Sequence, residues 1–271
     1  MKIRILLLLT LTFFKLNAQI LNGKVSSEET KLPIPYARIG LEKSEFGVIS
    51  DENGNFSIDL SNKDKNEKIR IEVGGYEPYT NSVDNFLNEN NSTFYLSEKV
   101  VNIEQIVITP KKFVAKNWGI NAKTKNIQFI YNPEKNQKNI SKELALPFET
   151  KKRTKLEKIN INISYFEADR PVFVRYNVYD ENWKSILGED VSILMNSKDI
   201  KNNEFSFDIS EKNIWVKNKF YVSFQVLNSF KGSIALSGTV FKPAFYRINL
   251  VLWEKTPTIC PSLNIDVKVE K

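Results

Sequence analysis

Apolar residues recur at every second position through most of this chain. Phe56, Ile58 and Leu60 alternate with Asn55, Ser57 and Asp59, and Ile69, Ile71 and Val73 follow. Ile159, Ile161 and Ile163 alternate with Asn160 and Asn162. Val172, Val174, Tyr176 and Val178 alternate with Phe173, Arg175, Asn177 and Tyr179. Leu263, Ile265, Val267 and Val269 share one face of a last run. Successive side chains of a strand leave opposite faces of the sheet, so period two marks a half-buried strand. No sustained helical period competes with it. Eighteen Phe and ten Tyr, beside many Ile and Val, add strand propensity. The chain is therefore read as all-β, and its 271 residues suit about two domains.

The first half is punctuated closely enough to place its strands. They are expected over residues 20–25, 37–42, 47–50, 55–60, 68–73, 76–80 and 93–96. Lys31-Leu32-Pro33-Ile34-Pro35 reads as a stiff, extended connection. Asp51-Glu52-Asn53-Gly54 reads as a structural hairpin turn: Asp51 can bond the backbone two residues on, Gly54 takes positive φ without steric cost, and Phe56 anchors the next strand. The same run superficially resembles a calcium loop. An EF-hand opening at Asp51 would need Gly sixth and Glu twelfth, and Phe56 and Asn62 stand there. Seven short strands with such turns describe a small β-sandwich over residues 19–97.

Four separated blocks of that half carry a resemblance. They are Asn22-Gly23-Lys24-Val25, Pro35-Tyr36-Ala37-Arg38-Ile39, Ser50-Asp51-Glu52-Asn53-Gly54-Asn55-Phe56 and Ile71-Glu72-Val73-Gly74-Gly75-Tyr76. In their order they resemble the carboxypeptidase-regulatory-like domain, with Ser50 in place of the usual Thr and Gly74 in place of the usual small residue. The resemblance implies a seven-stranded sandwich and no catalysis. Residues 101–109 are similar to the segment that follows this domain in TonB-dependent receptors. The 162 residues after Thr109 are too few for such a receptor, since 22 strands of about 10 residues need roughly 220.

Residues 98–125 are read as a strand and linker, with the linker itself over 110–122. Residues 126–271 are read as a second, jelly-roll-like β-sandwich of roughly ten strands. This half also looks like the C-terminal part of envelope proteins that carry the same N-terminal domain. Its expected strands include 126–131, 143–148, 158–164, 172–179, 191–195, 204–209, 220–227, 233–238 and 245–253. Lys151-Lys152-Arg153 with Lys155 is read as a solvated loop before a strand, with anionic glycan or lipopolysaccharide phosphate as the functional alternative.

Targeting and chemistry narrow the function. Lys2 and Arg4 precede an apolar run over residues 5–14, and Leu16-Asn17-Ala18 ends it. This layout reads as a secretory signal peptide over residues 1–18, too short to span a bilayer. Without those residues the formal charge falls from +7 to +4. That mild excess is scattered among acids and does not argue for nucleic acid. Cys260 is the single cysteine, so no internal disulfide can form and a packed core must hold the chain. Histidine is absent. That removes the commonest general base and zinc ligand, and with them His-dependent triads and metallopeptidase sites. No phosphate-binding loop or dinucleotide fingerprint is present, and no cofactor is expected.

Carboxylates are the remaining catalytic route, and Asp180-Glu181 and Glu189-Asp190 are the visible pairs. Neighbours along a strand point to opposite faces, so neither pair is a natural acid–base couple. Tyr179 and Trp183 flank the Asp180-Glu181-Asn182 turn and form a candidate ligand surface, because a ring there could stack on a sugar. The alternative folds Trp183 back over the end of the sandwich. Trp215 and Trp253 read as core or edge packing. The expectation is a non-enzymatic, exported envelope protein, in the periplasm or at the outer-membrane surface. Its partner would be a glycan or protein, with no transmembrane helix after signal cleavage. Rivals are a carboxylate-only glycan enzyme and a small outer-membrane barrel. Nothing in the sequence sets the oligomeric state.

Overall fold

A computed structural model describes residues 19–89, 92–99, 112–136 and 141–271. The signal peptide expected over 1–18 and the segment at 101–109 lie outside the described residues.

The first half holds seven strands: β1 (Ile20–Ser27), β2 (Arg38–Leu41), β3 (Gly47–Ile49), β4 (Asn55–Asp59), β5 (Lys68–Glu72), β6 (Tyr79–Ser82) and β7 (Thr93–Leu96). They form a three-stranded sheet of order β4-β1-β7 and a four-stranded sheet of order β3-β2-β5-β6. Alternation decides what lies between them. Ile39, Phe56, Ile58, Ile69 and Ile71 point inward and are buried. The turn at residues 51–54 has the expected chemistry. Asp51 Oδ1 accepts from the backbone N–H of Asn53 and Asn55, both at 2.8 Å, and Gly54 sits at φ +75°. It does not close a hairpin, however. β3 pairs with β2 and β4 with β1, so the turn carries the chain from one sheet to the other.

Period-two reading missed a short helix, α1 (Val83–Asn88). Ser82 caps it by accepting from the N–H of Asn85 at 3.2 Å, and Asp84 lies in its first turn. Val83 and Phe86, three apart, place both apolar side chains on the core face. Phe86 stacks on Phe94 with centroids 4.3 Å apart.

The second half contains β8 (Phe113–Gly119), β9 (Gln128–Tyr131), β10 (Lys142–Ala168), β11 (Val172–Tyr179), β12 (Val191–Met195), β13 (Glu204–Asp208), β14 (Trp215–Val226), β15 (Gly232–Val240), β16 (Phe245–Ile248), β17 (Glu254–Lys255), β18 (Ile259–Pro261) and β19 (Leu263–Glu270). Its spine is β10, 27 residues long, which pairs with β13, β14, β15, β16 and β19. The sequence divides this element into two strands and a basic loop. The structure makes it continuous, with Lys151-Lys152-Arg153 inside a register shift between Thr150 and Thr154. Both threonine hydroxyls donate to the Lys152 carbonyl at 3.0 Å and close the bulge. Arg153 lies 4.1 Å over the Trp215 ring. Pro147 falls between the pairings of β16 and β19, where one side of β10 needs no N–H.

The expected linker also contains a strand. β8 pairs along β19 from Phe113↔Glu270 to Gly119↔Asn264. Its side chains are almost all exposed, so it lacks the alternation that would betray it. Leu263, Ile265, Val267 and Val269 are buried as the last run requires, and Cys260 lies in the same core. That core is filled with aliphatic and aromatic side chains. An outer-membrane barrel has the reverse arrangement, a polar interior and an apolar outer band. Among the described residues no helix is long and apolar enough to cross a membrane.

Truncating Phe86 to Ala removes a fully buried ring from the small core. It should lower unfolding stability by about 3–5 kcal/mol in denaturant titration, with the strand signal otherwise retained below the midpoint.

Candidate functional site

The outward face of β2 and β5 is only partly open to water: Lys68 is exposed, Arg70 and Glu72 are half-buried, and Arg38 is buried. The same alternation that sends Ile39 and Ile71 inward sends Arg38, Gly40, Arg70 and Glu72 to the opposite face of the four-stranded sheet. That face meets the second sandwich. Arg38 is 2 % exposed and reaches Glu143 on β10, which is 0 % exposed. Arg38 Nη2 lies 2.5 Å from Glu143 Oε2 and also donates to Gln225 Oε1.

Glu143 is the hub of this seam. Its Oε2 also accepts from Arg247 Nε at 2.8 Å. Its Oε1 accepts from Tyr179 Oη at 2.8 Å and from Ser223 Oγ at 2.5 Å. Burial alone would push the carboxyl up. Arg247 and Arg38, with the two hydroxyls, outweigh that and hold it at about 2. Burial, then the charge of Arg247, lowers Arg38 below its ordinary value. Arg247 extends the network back to Glu72 at 3.7 Å.

A second tie lies nearby. Arg175 on β11 pairs with Asp190 at 2.5 Å and donates to the Tyr36 carbonyl at 2.9 Å. Asn249 donates to the Phe46 carbonyl at 3.0 Å. Glycine permits the close approach. A Cβ on Gly47 would sit 1.6 Å from Asn249 Nδ2, and one on Gly75 would sit 2.9 Å from the Glu189 Cα.

Tyr179 and Trp183 cap this hub. Tyr179 is buried and commits its hydroxyl to Glu143 and Arg247. Trp183, at φ +63°, stacks on Tyr221 at 3.6 Å and on Trp253 at 4.4 Å, both nearly parallel. Two rings so close to one centroid would overlap if they shared a face, so they cover opposite faces. A sugar therefore finds no free face on Trp183. The Asp180 turn that aims this ring is as expected: Asp180 Oδ1 accepts from the N–H of Asn182 and Lys184, both at 2.9 Å. The other acid pair is spoken for separately, Glu189 by Lys212 at 2.8 Å and Asp190 by Arg175.

Beside the seam the two sandwiches leave an open cleft of about 790 Å³. Tyr36, at φ +56°, packs its ring 5.1 Å from Phe173 across it. Burial, then Glu52 and Asp51, pushes the Tyr36 phenol up to about 12, so it stays a hydrogen-bond donor. Asp51, Glu52, Arg170 and Asn228 supply polar groups to the walls. Such a volume, part apolar and part polar, is typical of ligand sites. Nothing in the one-dimensional pattern pointed here, because the cleft exists only when the two halves meet.

Glu143 is held well below its unfolded value of 4.5, so its stabilising contribution is complete above that pH and is lost as pH falls toward 2. The difference is worth roughly 3 kcal/mol at about 1.4 kcal/mol per unit. Unfolding midpoints should drop across that window in the native chain. Glu143→Gln leaves two arginines facing a neutral group and should cost about 3–5 kcal/mol at neutral pH. It should also flatten the acid dependence, read by denaturant titration at a series of pH values.

Comparison with known proteins bears on the first half. No curated protein matches the sequence. A structure of infectious bursal disease virus, Gt strain, is 6% identical, with 93% of this chain and 64% of that chain covered and a TM-score of 0.27. A structure from work on promiscuous carbohydrate-binding modules of the β-sandwich superfamily is 10% identical, covers 86% of this chain and 94% of that one, and has a TM-score of 0.21. These scores are too low to define a shared fold. The family model for the CarboxypepD_reg-like domain matches residues 21–108. The N-terminal sandwich, with its four motif blocks on β1, β2, the 51–54 turn and β5, is a carboxypeptidase-regulatory-like domain.

Proposed function

We propose that the chain is a non-catalytic, exported binding module of the cell envelope, taking a glycan or protein partner. The cleft between the sandwiches carries this reading: about 790 Å³ of accessible, mixed-polarity space beside cross-domain ion pairs and the Arg175 hydrogen bond to the Tyr36 carbonyl. Walls fixed in advance lose little freedom when a ligand enters, which favours binding.

The distribution of acids supports a role without turnover. Glu143 is shut away from water and saturated with donors. In the cleft wall, Asp51 spends its carboxylate on the turn, where it accepts from Asn53 and Asn55. Among the described residues lining the cleft, Asp51 and Glu52 are the acids, and as sequence neighbours they are not the facing pair that glycoside hydrolysis needs about 5–10 Å apart. The N-terminal domain type and the leader-like first residues fit export.

Protein purified from the full sequence should bind saturably to one class of probe in a glycan array or an envelope-protein pull-down. It should release no reducing sugar from glycans it binds. Sugar release that survives purification and disappears in Glu52→Gln would overturn the non-catalytic reading.

A further inference from the structure

The outer edge of β3 opens into this cleft, and among the described residues its backbone is unpaired on that side. Ser50 donates its N–H to the Ala37 carbonyl at 2.9 Å, and Leu41 donates to the Phe46 carbonyl at 3.2 Å. Ile39 stands opposite Val48. Phe46, Val48 and Ser50 therefore turn their backbone groups toward β2. In an antiparallel pair the residues between them, Gly47 and Ile49, turn theirs away. β3 is the terminal strand of its sheet, and Gly47 and Ile49 both line the cleft. Two N–H and two C=O groups thus point into a space large enough for a short extended chain.

The rest of the cleft suits such a chain. Opposite the edge, Phe173, Leu194 and Leu227 give apolar contact, and Leu194 is 42 % exposed on β12, itself a sheet edge. One end carries Asp51 and Glu52, so a basic side chain is favoured there. Tyr36 holds positive φ, a costly state for a bulky residue. Arg175, bonded to its carbonyl from the second domain, fixes it.

We propose that this cleft binds an extended peptide segment of a partner protein by strand addition to β3. The peptide's backbone pairs with Gly47 and Ile49, alternate apolar side chains face Phe173 and Leu194, and a Lys or Arg faces Glu52. This rests on the binding-module reading and names the partner within it. Recognition by an unpaired edge draws affinity from main-chain bonds and selectivity from alternate side chains.

The test begins with selection of random heptapeptides displayed on phage against protein purified from the full sequence. Enriched peptides should alternate apolar residues and carry a basic one. Ile49→Pro removes one outward N–H while leaving the pairing with β2 intact, a position where an edge strand accepts proline. It should weaken the selected peptides at least tenfold. Ile49→Ala keeps the N–H and should weaken them no more than about threefold. Glu52→Lys, on an exposed turn, should abolish the preference for a basic residue. N-methylation along the peptide should cost affinity at alternate positions only.

Equal binding by Ile49→Pro with its unfolding midpoint unchanged, loss at every methylated position alike, or no enriched peptide at all would each overturn strand addition. A glycan bound equally by native protein and Ile49→Pro would keep the binding module while removing this partner.

Discussion

A carboxylate with no access to water holds this molecule together. Glu143 alone in an apolar interior would cost several kcal/mol. Two arginines, a tyrosine and a serine surround it, and they come from both sandwiches. The arrangement makes each half depend on the other. Arg38 is tolerable under the second sandwich only because Glu143 is there, and Glu143 is tolerable only with Arg38 and Arg247 in place. Buried ion networks add little net stability compared with apolar packing, but they are unforgiving of misalignment. Here that intolerance fixes how one β-sandwich sits on another.

The aromatic group around Trp183 belongs to the same construction. Tyr179 links the rings to the hub, and the Arg247 guanidinium carbon lies 4.9 Å from the Trp253 centroid. Stacked rings exclude water and lower the local dielectric, which strengthens the charge contacts beneath them. The positive φ of Trp183 is compensated by its two stacking partners. An exposed-looking tryptophan on a turn thus serves as a cover for an ion pair.

Much of the fold was legible because alternation survives in the sequence. Strands β4 and β5, and the buried faces of β11 and β19, follow directly from it, whereas β6 runs over residues 79–82 rather than the expected 76–80 and shows no alternating burial. The misses share one cause. β8 buries almost nothing, so its side chains carry no period. The Lys151-Lys152-Arg153 bulge interrupts the period of β10 without ending the strand. α1 is too short for a helical repeat to show. The site was less legible still. Alternation correctly sent Arg38 outward, and only the tertiary structure shows that outward means into another domain. Glu143 stands at the head of Leu144-Ala145-Leu146 with no motif to distinguish it from a surface acid.

The length of β10 has a consequence for how the chain is made. Its partners β13, β14, β15, β16 and β19 are all encoded after it, and β19 supplies a long stretch of its pairing. During synthesis the strand must wait for about a hundred later residues with its edges unsatisfied. Distant pairings of this kind are slow to nucleate and prone to intermolecular capture. The second sandwich therefore cannot mature segment by segment as it emerges; its central strand is fully paired only when the last strand arrives.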